Sequence, residues 1–163
     1  MERSVPVVAH SYMRAFCNRS KKWENKSTAT LVQKEGEICE GIAVRLTSEE
    51  VAKLDPFEGY PHKYNRFEIE LTNCLDQSQF TGQAYIQVNP TEFEEPCDAY
   101  KAACANTILT HMKMQGKLAE GVISMPVVNA LNGQTICKFE TTASKLKDRQ
   151  KPRNHSSKKC YIF

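Results

Sequence analysis

The sequence predicts an α+β fold in which strands outnumber helices. Apolar and polar residues alternate at a period of two along residues 38–46, 64–71 and 80–88, which is typical of strands with one buried face. Thr47 followed by Glu50 forms a helix capping box. Residues 98–115 carry apolar side chains at helical spacing, which predicts a second, longer helix.

Three turns are expected to connect strands, at residues 34–37, 73–78 and 132–133. The first turn contains Gly36 and would join a strand at residues 28–33 to the strand at residues 38–46. The second is polar and would join the next two strands as a hairpin. The third is Asn132-Gly133, a strong signal for a two-residue hairpin turn within residues 127–139.

The first helix is predicted to end at Asp55, because Pro56 disfavours helical geometry at the residue before it. Residues 57–63 then form a loop whose path is fixed by Gly59 and Pro61. Glu58 lies on this loop. A carboxylate held between a helix end and a strand start suits a general acid–base, although a loop glutamate is more often a solvated surface group.

Composition argues for one domain in a reducing compartment. The chain has 163 residues and seven cysteines, an odd number with no CxxC pair, which disfavours a zinc site and a disulfide framework. No stretch approaches the roughly 20 apolar residues of a membrane helix, and the N-terminus lacks a signal-peptide layout. We therefore expect a cytoplasmic protein.

The charge distribution divides the chain in two. Residues 1–137 carry 14 Lys and Arg against 17 Asp and Glu, whereas residues 138–163 carry eight against two. A nucleic-acid-binding fold usually has its basic charge on the folded body, so no nucleic-acid partner is expected. We predict a folded domain over residues 1–139 and a basic, disordered tail over residues 140–163.

The tail ends in Cys160-Tyr161-Ile162-Phe163, which fits a CaaX prenylation pattern. One lipid on Cys160 beside a basic segment would be a two-signal membrane anchor. A chance match at the C-terminus is the alternative. A basic tail could equally serve nuclear import or weak nucleic-acid contact.

Five short segments occur in an order and spacing that resemble one known family. They are residues 14–23, 28–32, 41–46, 82–85, and the run Leu54-Asp55 with Glu58-Gly59 and Tyr64. The last run resembles the "LDxxEGxxxxY" segment of the γ-glutamylcyclotransferase (AIG2-like) family. The resemblance spans residues 12–115, roughly two-thirds of the chain.

This resemblance implies a mixed, strongly curved sheet or partial β-barrel of five or six strands, with two flanking helices. It also implies an enzyme that converts γ-glutamyl amino acids or peptides, or glutathione, to 5-oxoproline and a free amine. Glu58 would be the catalytic acid–base, and Tyr85 and Tyr64 would contact the substrate. The chemistry needs no metal or organic cofactor.

The sequence departs from the family at one loop. Family members hold the substrate carboxylate with the backbone N–H groups of a Tyr-Gly-Ser-Asn loop that follows the first strand. No Tyr-Gly-Ser sequence occurs in this chain. We therefore expect the domain to lack that strand and loop, and two functions stay open: a cyclotransferase, or a catalytically silent γ-glutamyl-binding or scaffold domain.

Overall fold

A computed structural model describes residues 3–117 and 122–142. Within these residues the chain forms six strands, two α-helices and one short 3-10 helix. In chain order they are β1 (Ser4–Ser20), the 3-10 helix (Lys21–Trp23), β2 (Lys26–Val44), α1 (Ser48–Glu58), β3 (Tyr64–Asn73), β4 (Gln79–Gln87), α2 (Asp98–Met114), β5 (Val122–Val128) and β6 (Thr135–Thr142).

The strands form one mixed sheet that is not closed. Its order is β4-β3-β1-β5-β6, and β2 pairs with β1 outside this order. The β1–β5 contact at Ala15 and Val128 is parallel, whereas the other pairs are antiparallel. The predicted α+β class with a mixed sheet and two helices is confirmed.

The predicted turn at residues 34–37 is wrong, because β2 is one long strand. Gln33 pairs with Tyr12 and Ile38 pairs with His10, so both halves of β2 run along the same partner. The intervening residues bulge opposite Ser11, and Gly36 has a φ of +82° there. A glycine with positive φ serves a bulge as well as a turn, and the local sequence did not distinguish them.

Helix α1 continues past Pro56, so the prediction that it ends at Asp55 is also wrong. The proline removes the bond to the carbonyl of Ala52, but both residues are exposed, so water can satisfy that oxygen. The capping box at Thr47 starts the helix, and Gly59 in the left-handed conformation ends it. Glu58 is therefore the last helical residue rather than part of a loop.

The two remaining hairpins and α2 are present as predicted, with one difference. Val128 pairs with Thr135, so six residues connect β5 to β6 instead of the two-residue turn expected at Asn132-Gly133. Strand β6 runs past residue 139, where the predicted domain ends, and residues 143–163 with Cys160 lie outside the described part of the chain.

Two of the three apolar clusters in the described residues hold the sheet and α2 together. One joins β1, β2, β3 and β4 through Val7, Leu31, Ile69, Leu71 and Ala84. The other packs α2 and β5 onto β1 through Phe16, Tyr100, Cys104 and Val127, with Trp23 against it. A cavity lies beside the second cluster, since Trp23, Tyr100 and Cys104 also line it. No helix in the described residues is long and apolar enough to cross a membrane.

Candidate active site

A cavity of about 270 Å³ opens between β2, the C-terminal end of α1, the start of β3 and helix α2. Its wall combines aromatic rings with both signs of charge. The lining side chains include Arg14, Lys22, Trp23, Thr28, Glu58, Lys63, Tyr64, Tyr85 and Tyr100. Glu58, Tyr64 and Tyr85, the three site residues proposed from the sequence, therefore share one cavity.

Glu58 is 8% exposed although it is a carboxylate. Its position follows from α1, whose last residue it is, and from Gly59, which turns the chain sharply after it with a φ of +66°. The C-terminal end of a helix disfavours negative charge, because the helix dipole is negative there. Glu58 thus combines burial, a rigid support on each side, and access to the cavity.

Tyr64 is held by main-chain and side-chain bonds at the first residue of β3. Its hydroxyl donates to the carbonyl of Ala29 at 3.0 Å, accepts from Nε2 of Gln87 at 3.0 Å, and lies 2.9 Å from Oγ1 of Thr28. Burial raises the pKa of Tyr64 to about 12, and the charge of Glu58 adds to that rise. Tyr64 is therefore a neutral, fixed wall of the cavity.

Gln87 is the centre of this polar network, and the sequence analysis missed it. Its Oε1 accepts from Nδ2 of Asn18 at 2.7 Å and from Sγ of Cys17 at 3.0 Å, while its backbone N–H donates to Thr30 at 2.9 Å. A glutamine in an alternating strand resembles a solvated residue. Its only sequence signal was that it shares a face of β4 with Tyr85.

Tyr85 faces the cavity from β4, and its hydroxyl donates a short hydrogen bond to Oδ1 of Asp55. Asp55 in turn pairs with Nε of Arg66 at 3.3 Å, and the Arg66 guanidinium lies 4.6 Å from the ring centre of Tyr60. Burial, the bond to Asp55 and the Asp55 charge all raise the pKa of Tyr85. Its only O–H is thus directed to Asp55, a partner that the sequence did not indicate.

Arg14 is the other charged residue buried in this wall, at 5% exposure. It lies on β1, and its place in the sequence did not predict a role in the site. One Nη donates to the backbone oxygen of Glu40 at 3.0 Å, and the other lies 3.5 Å from Sδ of Met125. The cavity therefore contains a buried cation as well as a buried carboxylate.

Other reactive groups in the described residues form no second site. They include no group of three or more His, Cys, Asp or Glu that could hold a metal ion. Four of the six described cysteines are buried. His62, two residues after Tyr60, is exposed.

The comparisons with known proteins agree with this architecture. The sequence profile of the family described as γ-glutamyl cyclotransferase, AIG2-like, matches residues 4–103. The chain belongs to this family. A search of curated proteins found no match.

Two solved structures share the fold. One is the crystal structure of an uncharacterized human protein, at 21% identity, and the other is a γ-glutamyl cyclotransferase, at 20% identity. Both superpose on this protein with a TM-score of 0.57, and each alignment covers 69% of this chain and 65% of the other chain. The chain thus spans slightly less than two-thirds of each of these proteins, and the predicted γ-glutamylcyclotransferase-like fold is confirmed.

Proposed function

We propose that this protein is a γ-glutamylcyclotransferase that converts γ-glutamyl amino acids or peptides to 5-oxoproline and a free amine. One observation carries the proposal: in a domain of this family, Glu58 is buried in the wall of a tyrosine-lined cavity. A buried carboxyl group that reaches a ligand cavity is a strong candidate for a general acid–base.

The reaction needs little from the protein beyond conformation and proton transfer. The α-amino group of the γ-glutamyl unit attacks its own γ-carbonyl carbon, which forms the lactam C–N bond and a tetrahedral intermediate. Glu58 accepts a proton from the attacking nitrogen and donates it to the leaving amine as the original amide C–N bond breaks. Because the attack is intramolecular, a cavity that holds the folded conformer lowers the entropic barrier.

The two tyrosines have different parts in this proposal. Tyr64 has its hydroxyl engaged by Ala29, Thr28 and Gln87, so it would shape the cavity rather than bond to the reacting atoms. Tyr85 would contact the γ-glutamyl unit. Donation to a ligand requires its O–H to turn away from Asp55, which it now bonds.

The test is release of 5-oxoproline from a γ-glutamyl dipeptide and from glutathione. Glu58→Gln should reduce the rate at least about 100-fold, because an amide cannot carry the proton. Glu68→Gln is the matched control, since Glu68 is exposed on β3 and should leave the rate unchanged. Equal rates in wild type and Glu58→Gln, from folded proteins, would rule out the assigned role.

The alternative function is a catalytically silent domain that binds γ-glutamyl compounds. It predicts no 5-oxoproline from the wild type, together with ligand binding that is equally strong in Glu58→Gln. Both predictions must hold for this function to replace the enzyme.

Cytoplasmic location and a lipid anchor remain proposals from the sequence. The cysteines suit a reducing compartment, and Cys160 has a basic segment before it. Mass spectrometry of the C-terminal peptide from eukaryotic cells would detect a prenyl group, and an unmodified Cys160 would exclude the anchor.

A further inference from the structure

Arg14 is a buried cation to which the described residues bring no carboxylate within ion-pairing distance. Its guanidinium carries five N–H donors, and the two contacts to Glu40 and Met125 engage one Nη each. Glu40 is contacted through its backbone oxygen, and a thioether is a weak acceptor. The side chain lines the cavity, so its remaining donors adjoin the space where a ligand would lie.

A buried guanidinium with no carboxylate at ion-pairing distance is an unusual element of a stable fold. Burying a charge is costly unless it is paired and hydrogen-bonded, and arginine cannot lose its proton to avoid that cost. An anion that enters the cavity would supply the missing partner. A carboxylate matches the guanidinium geometry, since two parallel N–H groups can bond to its two oxygens.

We infer that Arg14 is the anchor for the α-carboxylate of the γ-glutamyl unit, an inference that rests on the proposed function for the identity of the ligand. Arg14 is thus a binding residue, and Glu58 handles the proton.

The charges of the cavity wall fit this ligand. An α-amino acid carries one carboxylate and one ammonium group, and the wall presents one buried guanidinium and one buried carboxylate, Arg14 and Glu58. The volume of about 270 Å³ lies just below the roughly 300–1,000 Å³ that is usual for drug-sized ligands. It suits one amino-acid-sized group with the leaving amine directed toward the opening.

The experiment compares γ-glutamyl-alanine with the same compound whose glutamyl α-carboxylate is converted to a primary amide. Binding is followed by the fluorescence of Trp23, the single tryptophan, which lines the cavity. All binding variants carry Glu58→Gln so that no ligand is consumed. With Arg14 present, the acid should bind about 10- to 100-fold more tightly than the amide, as expected for charge-assisted hydrogen bonds.

Two substitutions at Arg14 and one matched control separate binding from folding. Arg14→Met keeps an unbranched side chain without charge and should reduce the preference for the acid to less than about threefold. Arg14→Lys should keep part of it, because the charge remains but the bidentate geometry is lost. Lys22→Met removes an exposed cation from the same wall and should leave the preference intact.

The unfolding temperature distinguishes a ligand-binding role of Arg14 from a purely structural one. Without ligand, Arg14→Met should unfold at the same or a higher temperature than its parent, because an apolar side chain avoids the desolvation cost of a buried charge. With ligand, the parent should gain more thermal stability than the variant. A large loss of stability without ligand would identify Arg14 as structural and overturn the inference.

The outcomes separate this inference from the proposed function. If the acid is not preferred, or if the preference survives Arg14→Met, the anchor is wrong even when wild type releases 5-oxoproline. If wild type releases none but the preference depends on Arg14, the anchor stands and the cyclotransferase proposal fails. Absence of all γ-glutamyl binding would overturn both.

Discussion

At the scale of one residue, the protonation of the buried His111 is linked to the stability of the fold. It is 3% exposed on α2, its Nδ1 lies 2.8 Å from the backbone oxygen of Gly41, and its Nε2 lies 2.9 Å from the amide nitrogen of Gln115. A neutral ring that donates through Nδ1 and accepts through Nε2 satisfies both contacts. Burial lowers the pKa of His111, while Gly41 and Glu40 oppose that change and Lys117 and Arg14 reinforce it.

The sign of the pH effect follows from the lower pKa in the folded state. Above about pH 6.5 both states are neutral at this residue, and the folded state keeps its full stability. As the pH falls below 6.5, the unfolded state binds a proton first, so the free energy of unfolding decreases. The loss from this residue is at most about 1.4 kcal/mol per pH unit until the folded state also titrates.

Urea unfolding at pH 7.5 and pH 5.5 measures this effect. Wild type should lose more stability over this interval than His111→Gln, which cannot titrate but can still donate to Gly41. His62→Gln changes an exposed histidine and should keep the wild-type pH dependence. The same loss in His111→Gln as in wild type would exclude His111 as the source.

Helix α1 shows which boundaries of a single element can be predicted from the sequence. Its start at Thr47 was predictable because a capping box is local chemistry between residues three apart. Its end was not, since continuation past Pro56 depends on the burial of Glu58 and on the left-handed Gly59. The resemblance pointed to Glu58, Tyr64 and Tyr85, whereas the contacts of Arg14, Asp55 and Gln87 join residues distant in sequence and could not be predicted from it.

The end of α1 gives a prediction for Gly59. An alanine there would be strained by the positive φ, and its Cβ would lie 3.0 Å from Cβ of Lys63. Gly36 has a similar φ of +82° but nothing within 4 Å of an added Cβ, so it isolates the backbone cost. We expect Gly36→Ala to cost about 1 kcal/mol of unfolding free energy and Gly59→Ala about 2–3 kcal/mol.

The two alanine variants should differ in activity as well as stability. Any shift that relieves the contact with Lys63 moves the neighbouring Glu58, whereas Gly36 lies on β2 away from the cavity wall. Urea unfolding and 5-oxoproline release, measured on both proteins, check the two parts. Equal unfolding free energies for Gly36→Ala and Gly59→Ala would contradict the role assigned to the Lys63 contact.

At the scale of the whole molecule, the cavity lies between β2 and β4, where the open sheet does not close. Strands β2 and β4 share no backbone ladder, and side chains fill the gap between them. The hydroxyl of Tyr64 bonds to the carbonyl of Ala29, and the N–H of Ala29 bonds to the hydroxyl of Tyr100 at 2.8 Å. These tyrosines satisfy the edge of β2 that a neighbouring strand would otherwise cover.

Gln87 connects the strands on both sides of this gap, and we expect it to contribute strongly to stability. Its side chain reaches from β4 to the backbone oxygens of Cys17 on β1 and Thr28 on β2, at 3.2 Å and 3.3 Å. Gln87→Leu has nearly the same size but would leave several buried polar groups without this partner. We expect it to lower the unfolding free energy by about 2–4 kcal/mol.

Gln83→Leu is the matched control, because Gln83 is exposed on the same strand and its side chain, among the described residues, accepts one hydrogen bond, from Arg66 at 3.3 Å. That change should cost less than about 0.5 kcal/mol. Amide hydrogen exchange should also accelerate along residues 27–31 of β2 in Gln87→Leu and not in Gln83→Leu, because only the first opens the gap. Equal stability and equal exchange in the two variants would mean that Gln87 is not needed to hold β2 and β4 in place. Apolar packing alone would then form the cavity.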